Sequence, residues 1–465
     1  MEMVSYGKKI RSSGSFGVHE QCNSYAHRCR VFLLVHQSLM LSRKDWRSGG
    51  GKMTFVAPIR ASAPSVPVAA RIERFSYAIR SIVAEARKVE ASGRRVRYLN
   101  IGDPVAFGFA TPRHLITAVE RALRDGHNGY GPSAGIPQGR DAVAAEYTSR
   151  GFPVEADRTF LTAGTSEGIE LILTALVDEG TDVLVPLPVY PLYTAVLAKL
   201  GARALCYRTD PQRGWTPDLE HLESLITPAT RALVINDPNN PTGACYSTGT
   251  RRALLDLADR HALAIVADEV YGDLGYEGPI APLGSLDPDA PIISISSLSK
   301  AYLAPGWRTG WIGVGRTPRL NDVVKAIGKL ADARLCSTLP MQHAVTAALT
   351  GDRSHQVGFR TALKERAALT HQRLNAIPGV TAVAARAAFY AMPRVALPAG
   401  RTDEDFVLAL VREAGVLCVH GSGFGMAPSE GYFRIVFLAS PDELDDIYRL
   451  IAEFTIDYLR RPGSR

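Results

Sequence analysis

Three short runs, Ala232-Leu233-Val234-Ile235, Ala264-Ile265-Val266-Ala267 and Ile292-Ile293-Ser294-Ile295, are almost unbroken in apolar side chains. A strand with one face in water alternates apolar and polar residues, whereas a strand apolar at nearly every position is covered on both faces. Helical spacing fills the intervals. Helices are predicted at Pro112–Arg124, Gln138–Arg150, Glu167–Val177, Tyr190–Leu200, Asp218–Ile226 and Thr248–His261, with further strands at Val96–Ile101, Val183–Val185 and Ala202–Tyr207. Such alternation specifies an α/β fold, a mostly parallel sheet with helices on both faces. An earlier helical pattern runs from Ala70 to Ser92, with Gly93 as its stop. Beyond about Thr317 the pattern changes to long helices up to about Ala376. Short strands follow at Val380–Ala384 and Phe389–Met392, then a helix at Asp403–Ala414, a strand at Phe433–Phe437 and a helix at Pro441–Leu459. This second part reads as a smaller α+β unit.

Charge and cysteine usage narrow the function classes. Residues 1–52 hold nine basic and three acidic residues, so nearly all of the net charge of +7 sits there. The remainder is close to neutral, which gives no case for nucleic-acid binding. No apolar run is long enough to span a bilayer. The six cysteines, Cys22, Cys29, Cys206, Cys245, Cys336 and Cys418, form no CxxC pair, so neither a metal site nor a disulfide framework is expected. Scattered thiols fit a reducing, cytoplasmic setting. Residues 1–52 end in Ser48-Gly49-Gly50-Gly51 and read as a disordered extension, or as sequence translated ahead of a start at Met53.

In an open α/β sheet, ligands bind at the carboxyl ends of the strands. Four segments placed there carry distinctive residues. Leu161-Thr162-Ala163-Gly164-Thr165-Ser166-Glu167 opens a helix, where free backbone N–H groups and the helix dipole favour an anion. Asn236-Asp237-Pro238-Asn239-Asn240-Pro241-Thr242-Gly243 follows the first apolar run. Asp268-Glu269-Val270-Tyr271 follows the second, and Ser297-Leu298-Ser299-Lys300 the third. A lysine or an aspartate next to a buried strand is costly as a charge without a partner or a task.

Taken together and in this order, these segments resemble the aspartate-aminotransferase-like (fold type I) pyridoxal-phosphate enzymes. The likeness runs from about Ile72 to the C-terminus. It is nearest to bacterial alanine aminotransferases through Ile101-Gly102-Asp103-Pro104 and Tyr190-Pro191-Leu192-Tyr193. The resemblance implies a PLP-dependent transferase fold with a large, mostly parallel domain at 111–345. The small domain is expected at 346–465, with 53–110 forming an N-terminal arm and a further part of that domain. It implies that Lys300 joins pyridoxal 5′-phosphate as an imine and, once freed by substrate, moves a proton. Asp268 is implied to pair with the pyridine nitrogen, and Asn240 and Tyr271 to bond the ring oxygen. Tyr190 would stack on the ring. Gly164, Thr165, Ser166, Ser297 and Arg308 would cradle the phosphate, with Tyr130 supplied by the neighbouring subunit of a homodimer. Arg434, charged within the apolar strand Tyr432-Phe433-Arg434-Ile435, would clamp the substrate carboxylate with help from Gly102 and Asn240. Tyr77 and Arg80 would line the side-chain end of the pocket.

The function expected from these residues is amino-group transfer between an amino acid, alanine or glutamate first, and a 2-oxo acid. Aspartate or aromatic amino acids are the alternative donors. A pyridoxal-phosphate C–S lyase is the alternative reaction, since the same electron sink serves β-elimination.

Overall fold

The computed structural model describes residues 66–74 and 82–461. The expected extension, together with Tyr77 and Arg80, lies outside the described residues. The helix expected over Ala70–Ser92 is described only at its ends, as a 3₁₀ turn at Ala70–Arg74 and an α-helix at Val83–Ala91.

Strands are numbered in chain order: β1 (Arg97–Tyr98), β2 (Thr159–Thr162), β3 (Asp182–Leu187), β4 (Arg203–Asp210), β5 (Thr216–Pro217), β6 (Thr230–Asn236), β7 (Ala264–Asp268), β8 (Ile292–Ser297) and β9 (Gly310–Val314). Eight of them form one sheet in the order β2-β9-β8-β7-β6-β3-β4-β5. The central run from β8 to β4 is parallel. β9 runs antiparallel to both neighbours, and β5 closes the other edge antiparallel to β4. Neither β2 nor β9 was expected from the sequence. Two glycines break the β9 pattern, and both are forced by close approach. A Cβ at Gly313 would lie 2.7 Å from the Tyr147 ring, and one at Gly310 would lie 2.8 Å from the carbonyl oxygen of Ser296.

Successive side chains of the apolar runs go to opposite faces. Val183, Val185, Val234, Val266 and Ile293 pack with Ile169, Leu173, Val196, Leu197 and Ile327 from three helices. Leu184, Leu233, Ile235, Ile265 and Ile292 join the cluster holding Val143, Leu254, Leu257 and Ala258 on the other side. Both faces of the central strands are therefore buried, and most of their polar side chains stand at the strand ends.

The C-terminal part carries β10 (Val380–Thr381), β11 (Tyr390–Ala391), β12 (Arg394–Val395), β13 (Val416–Leu417), β14 (Val419–His420) and β15 (Phe433–Val436). β11, β15 and β14 form an antiparallel sheet in that order. The helix Asp403–Ala414 begins at a reciprocal cap. Thr402 Oγ1 accepts from the Asp405 N–H at 3.1 Å, and Asp405 Oδ2 accepts from the Thr402 N–H at 3.0 Å. Ser440 and Pro441 start the helix Pro441–Arg460. β1 pairs in parallel with β13, and Val436 N–H donates to the Leu99 carbonyl at 2.9 Å. That pairing brings Asn100-Ile101-Gly102 beside β15.

Gly243 ties the loop after β6 to the C-terminal part. Its φ is +71°, and a Cβ there would lie 2.6 Å from both Ala385 Cβ and the Tyr390 carbonyl oxygen. Gly243→Ala should lower unfolding stability by about 2–4 kcal/mol, from left-handed backbone strain plus overpacking. Urea unfolding of the cofactor-free protein measures this, and an unchanged midpoint would contradict the packing described.

Candidate active site

One cavity of about 440 Å³ opens at the carboxyl ends of the parallel strands. It is lined by Gly102, Thr165, Ser166, Tyr190, Asn240, Asp268, Tyr271, Lys300, Arg308 and Arg434 from among the expected residues. Its volume falls in the range of small-ligand and cofactor sites. Gly164 borders it beneath Arg308. Ser297 is buried just outside, its Oγ accepting from the Ser299 N–H at 3.2 Å. Tyr130 does not line the cavity and is 86 % exposed.

Strand register aligns the polar ends: Asn236 of β6 pairs with Asp268 of β7, and Asp268 with Ile295 of β8. The turn after β6 is held by its own side chains. Asn236 Oδ1 accepts from the Asn240 N–H at 2.7 Å, and Asn239 Oδ1 accepts from the Thr242 hydroxyl at 2.7 Å. The Asn240 side chain is thereby free to accept from Arg434 Nη1 at 3.1 Å.

Asp268 is 3 % exposed. Its Oδ2 accepts from the Tyr193 hydroxyl at 3.1 Å, and the Asn236 side chain and the Val270 N–H add weaker support. Burial outweighs these bonds and pushes its carboxyl up to about 6. Three residues on, Tyr271 faces the same space. Its hydroxyl lies 2.9 Å from that of Tyr390, and burial carries its phenol well above the ordinary value.

Lys300 Nζ donates to the Gly102 carbonyl at 2.8 Å and sits 5.9 Å from the Tyr271 ring centre and 5.5 Å from that of Phe389. Gly102 has no room for a side chain, because a Cβ there would lie 2.3 Å from the Tyr390 hydroxyl oxygen. Arg434 is 2 % exposed. It donates to the Asn100 carbonyl as well as to Asn240, and its guanidinium lies 4.8 Å from the Tyr390 ring centre and 4.9 Å from that of Phe424. Two aromatic faces and two oxygen acceptors hold this buried cation in place.

The helix Thr165–Leu176 starts at Gly164, with φ +82° and no side-chain cap. Its first-turn residues Thr165 and Ser166 line the cavity. Glu167 fixes the turn, accepting from the Ala163 N–H at 2.6 Å and from Arg334 Nη1 at 2.6 Å. Arg308 has a left-handed backbone, φ +50°, and its side chain folds over Gly164. A Cβ at Gly164 would lie 2.4 Å from Arg308 Nη2, and its φ of +82° is a conformation that residues with side chains rarely adopt.

Sequence reasoning missed three contributors. Tyr193 braces Asp268, Asn236 braces Asn240, and Tyr390 contacts Tyr271 and Arg434. Tyr193 stood within the quoted Tyr190-Pro191-Leu192-Tyr193, one helical turn past Tyr190, and was open to inference. Tyr390 lies 119 residues from Tyr271 and has no local signal.

The cavity fits pyridoxal 5′-phosphate by its donor set. An uncapped helix start under an arginine suits a phosphate. A deeply buried carboxyl raised to about 6 suits a protonated ring nitrogen. A lysine stands between aromatic faces, and a buried guanidinium suits a carboxylate. Three cationic side chains, Lys300, Arg308 and Arg434, against two acids, Asp103 and Asp268, favour anionic ligands overall.

Comparison with known proteins agrees with this geometry. The profile of the aminotransferase class I and II family matches residues 96–451. The alanine aminotransferase of Mycobacterium tuberculosis is 37% identical over 400 residues, covering 84% of this chain and 92% of the relative. The glutamate-pyruvate aminotransferase AlaA of Escherichia coli is 35% identical over 399 residues, covering 83% and 97%. Among solved structures, an alanine aminotransferase from Pyrococcus furiosus superposes with a TM-score of 0.82 at 37% identity, covering 84% of this chain and all of the other. An aspartate aminotransferase double mutant from Thermus thermophilus gives 0.76 at 30%, with 84% and 100% covered. The chain belongs to the class I and II aminotransferases, a pyridoxal-phosphate-dependent family of enzymes.

Proposed function

We propose that this aminotransferase moves the amino group of alanine or glutamate to a 2-oxo acid, with pyridoxal 5′-phosphate held at Lys300. The observation that carries the reading is the convergence of Lys300, Asp268, Arg308 and Arg434 on one cavity. The choice of alanine and glutamate is supported by relatives named alanine aminotransferase and glutamate-pyruvate aminotransferase.

When bound, pyridoxal phosphate supplies an electron sink for the carbanion left at the substrate α-carbon. The chain's own residues do the rest. Arg308 and the amides of Thr165 and Ser166, with Gly164 giving room and Ser297 behind them, would hold the phosphate. Asp268, braced by Tyr193, would keep a proton on the ring nitrogen. Asn240 and Tyr271 would bond the ring oxygen, and Tyr190 would lie against the ring. Arg434 binds the substrate carboxylate and orients the α-carbon toward Lys300, whose Nζ takes the α-proton and returns it. Gly102 places its carbonyl to hold that amine.

Exposed Tyr130 is assigned to the neighbouring active site of a homodimer, and Tyr77 and Arg80 to the substrate side-chain end. A cytoplasmic setting and the division into a 111–345 large domain and a 346–465 small domain belong to the same reading. The eight-stranded sheet between 159 and 314 and the short sheets between 380 and 436 support that division.

The direct test is formation of pyruvate and glutamate from alanine and 2-oxoglutarate. Ammonia release from cysteine without a 2-oxo acid requirement would favour the lyase. Lys300→Ala should leave the fold intact and cut transfer by about 10⁴-fold; normal turnover would refute the mechanism. Arg434→Lys should lower kcat/KM by about 10–100-fold, mainly through KM for both amino acid and 2-oxo acid, since one point charge replaces a two-pronged clamp.

Asp268→Asn should separate stability from activity. Because the carboxyl titrates at about 6 when folded instead of 3.8, its contribution to stability is full below pH 4 and lost as pH rises through 6. Removing the charge should stabilise the cofactor-free protein by about 1–3 kcal/mol at pH 7.5 and little at pH 4, while abolishing most transfer. Urea unfolding at the two pH values reads the difference, and a variant less stable at pH 7.5 would contradict the account.

A further inference from the structure

We propose that Tyr390 is a positioning residue that directs the Tyr271 hydroxyl into the cavity; this rests on the reading above that Tyr271 bonds the ring oxygen of pyridoxal phosphate. Tyr390 sits on β11 of the C-terminal part, yet its side chain meets three groups of the site. Its hydroxyl is 2.9 Å from that of Tyr271. Its ring face lies 4.8 Å from the Arg434 guanidinium carbon. Its hydroxyl also fills the space where any side chain on Gly102 would stand.

Two phenols at hydrogen-bond distance share one proton between them, so one must donate and the other must aim its proton elsewhere. Arg434 stands closer to the Tyr390 ring centre, at 4.8 Å, than Lys300 does to that of Tyr271, at 5.9 Å, so the Tyr390 ring loses more electron density and its O–H is the stronger donor. Tyr390 therefore donates to Tyr271. The Tyr271 oxygen, already an acceptor, becomes the better donor in turn, and its proton points into the cavity. Charged and titratable groups facing the pair are Lys300, Arg434, Asp268 and Tyr190.

The consequence lies in the bound cofactor. Donation to the ring oxygen favours its ionised form and lowers the pH at which the visible absorbance of the bound cofactor titrates. Tyr390→Phe keeps the ring, the Arg434 contact and the packing, and removes only the donor. The midpoint of that titration should rise by about 0.5–1 unit in the holoenzyme, with kcat/KM lowered by about three- to tenfold. In a Tyr271→Phe background, the same substitution should move the midpoint by less than about 0.2 unit, because the proton it directs is gone. Purified wild type, both single variants and the double variant, each loaded with pyridoxal phosphate, are titrated in parallel. An unmoved midpoint in Tyr390→Phe, or an equal rise in the Tyr271→Phe background, overturns the inference and leaves the proposed function standing. A wild type that takes up pyridoxal phosphate with no titrating chromophore overturns both.

Discussion

A sheet buried on both faces gathers most of its polar side chains at its ends, and the rest of this molecule follows from that restriction. Five parallel strands run together, and valine, isoleucine, leucine and alanine fill most interior positions of β3, β6, β7 and β8 on either side. The register of β6, β7 and β8 then delivers Asn236 and Asp268 to one rim, with Lys300 three residues beyond the end of β8. Asp268 bears the cost of that position. Its carboxyl is raised to about 6 despite the Tyr193 hydroxyl, so a cationic partner above it releases free energy that the cofactor-free protein withholds.

The opposite wall comes from elsewhere in the chain. β1 pairs with β13, which brings Asn100 and Gly102 against β15, and β15 carries Arg434. A single buried guanidinium then links the Asn100 carbonyl, the Asn240 side chain and the faces of Tyr390 and Phe424. Removing one oxygen acceptor from such a buried guanidinium leaves a donor unsatisfied, at a cost of about 1–3 kcal/mol. The N-terminal segment, the loop after β6 and the C-terminal sheet are thereby held in one arrangement around the cavity. The absence of side chains at Gly102, Gly164 and Gly243 allows these approaches.

Much of this was legible in the sequence where a local pattern reported it. β6, β7 and β8 were visible as continuous apolar runs, and the helix Asp403–Ala414 has the bounds its periodicity predicts. Arg434 stood out because a charge interrupts an apolar strand. β2 and β9 did not stand out. Thr159-Phe160-Leu161-Thr162 is short, and Gly310 and Gly313 make β9 read as a loop. Those glycines answer to neighbours distant in sequence, Ser296 and Tyr147. Tyr390 was hidden for the same reason, since its partners are Tyr271 and Arg434 and no spacing along the chain announces them.

The most direct measurement is the visible spectrum of the protein loaded with pyridoxal phosphate, followed as alanine and then 2-oxoglutarate are added in turn. The account predicts loss of the pyridoxal absorbance with alanine, appearance of the pyridoxamine form, and full return with 2-oxoglutarate. A spectrum unchanged by alanine, glutamate, aspartate and aromatic amino acids alike would contradict it.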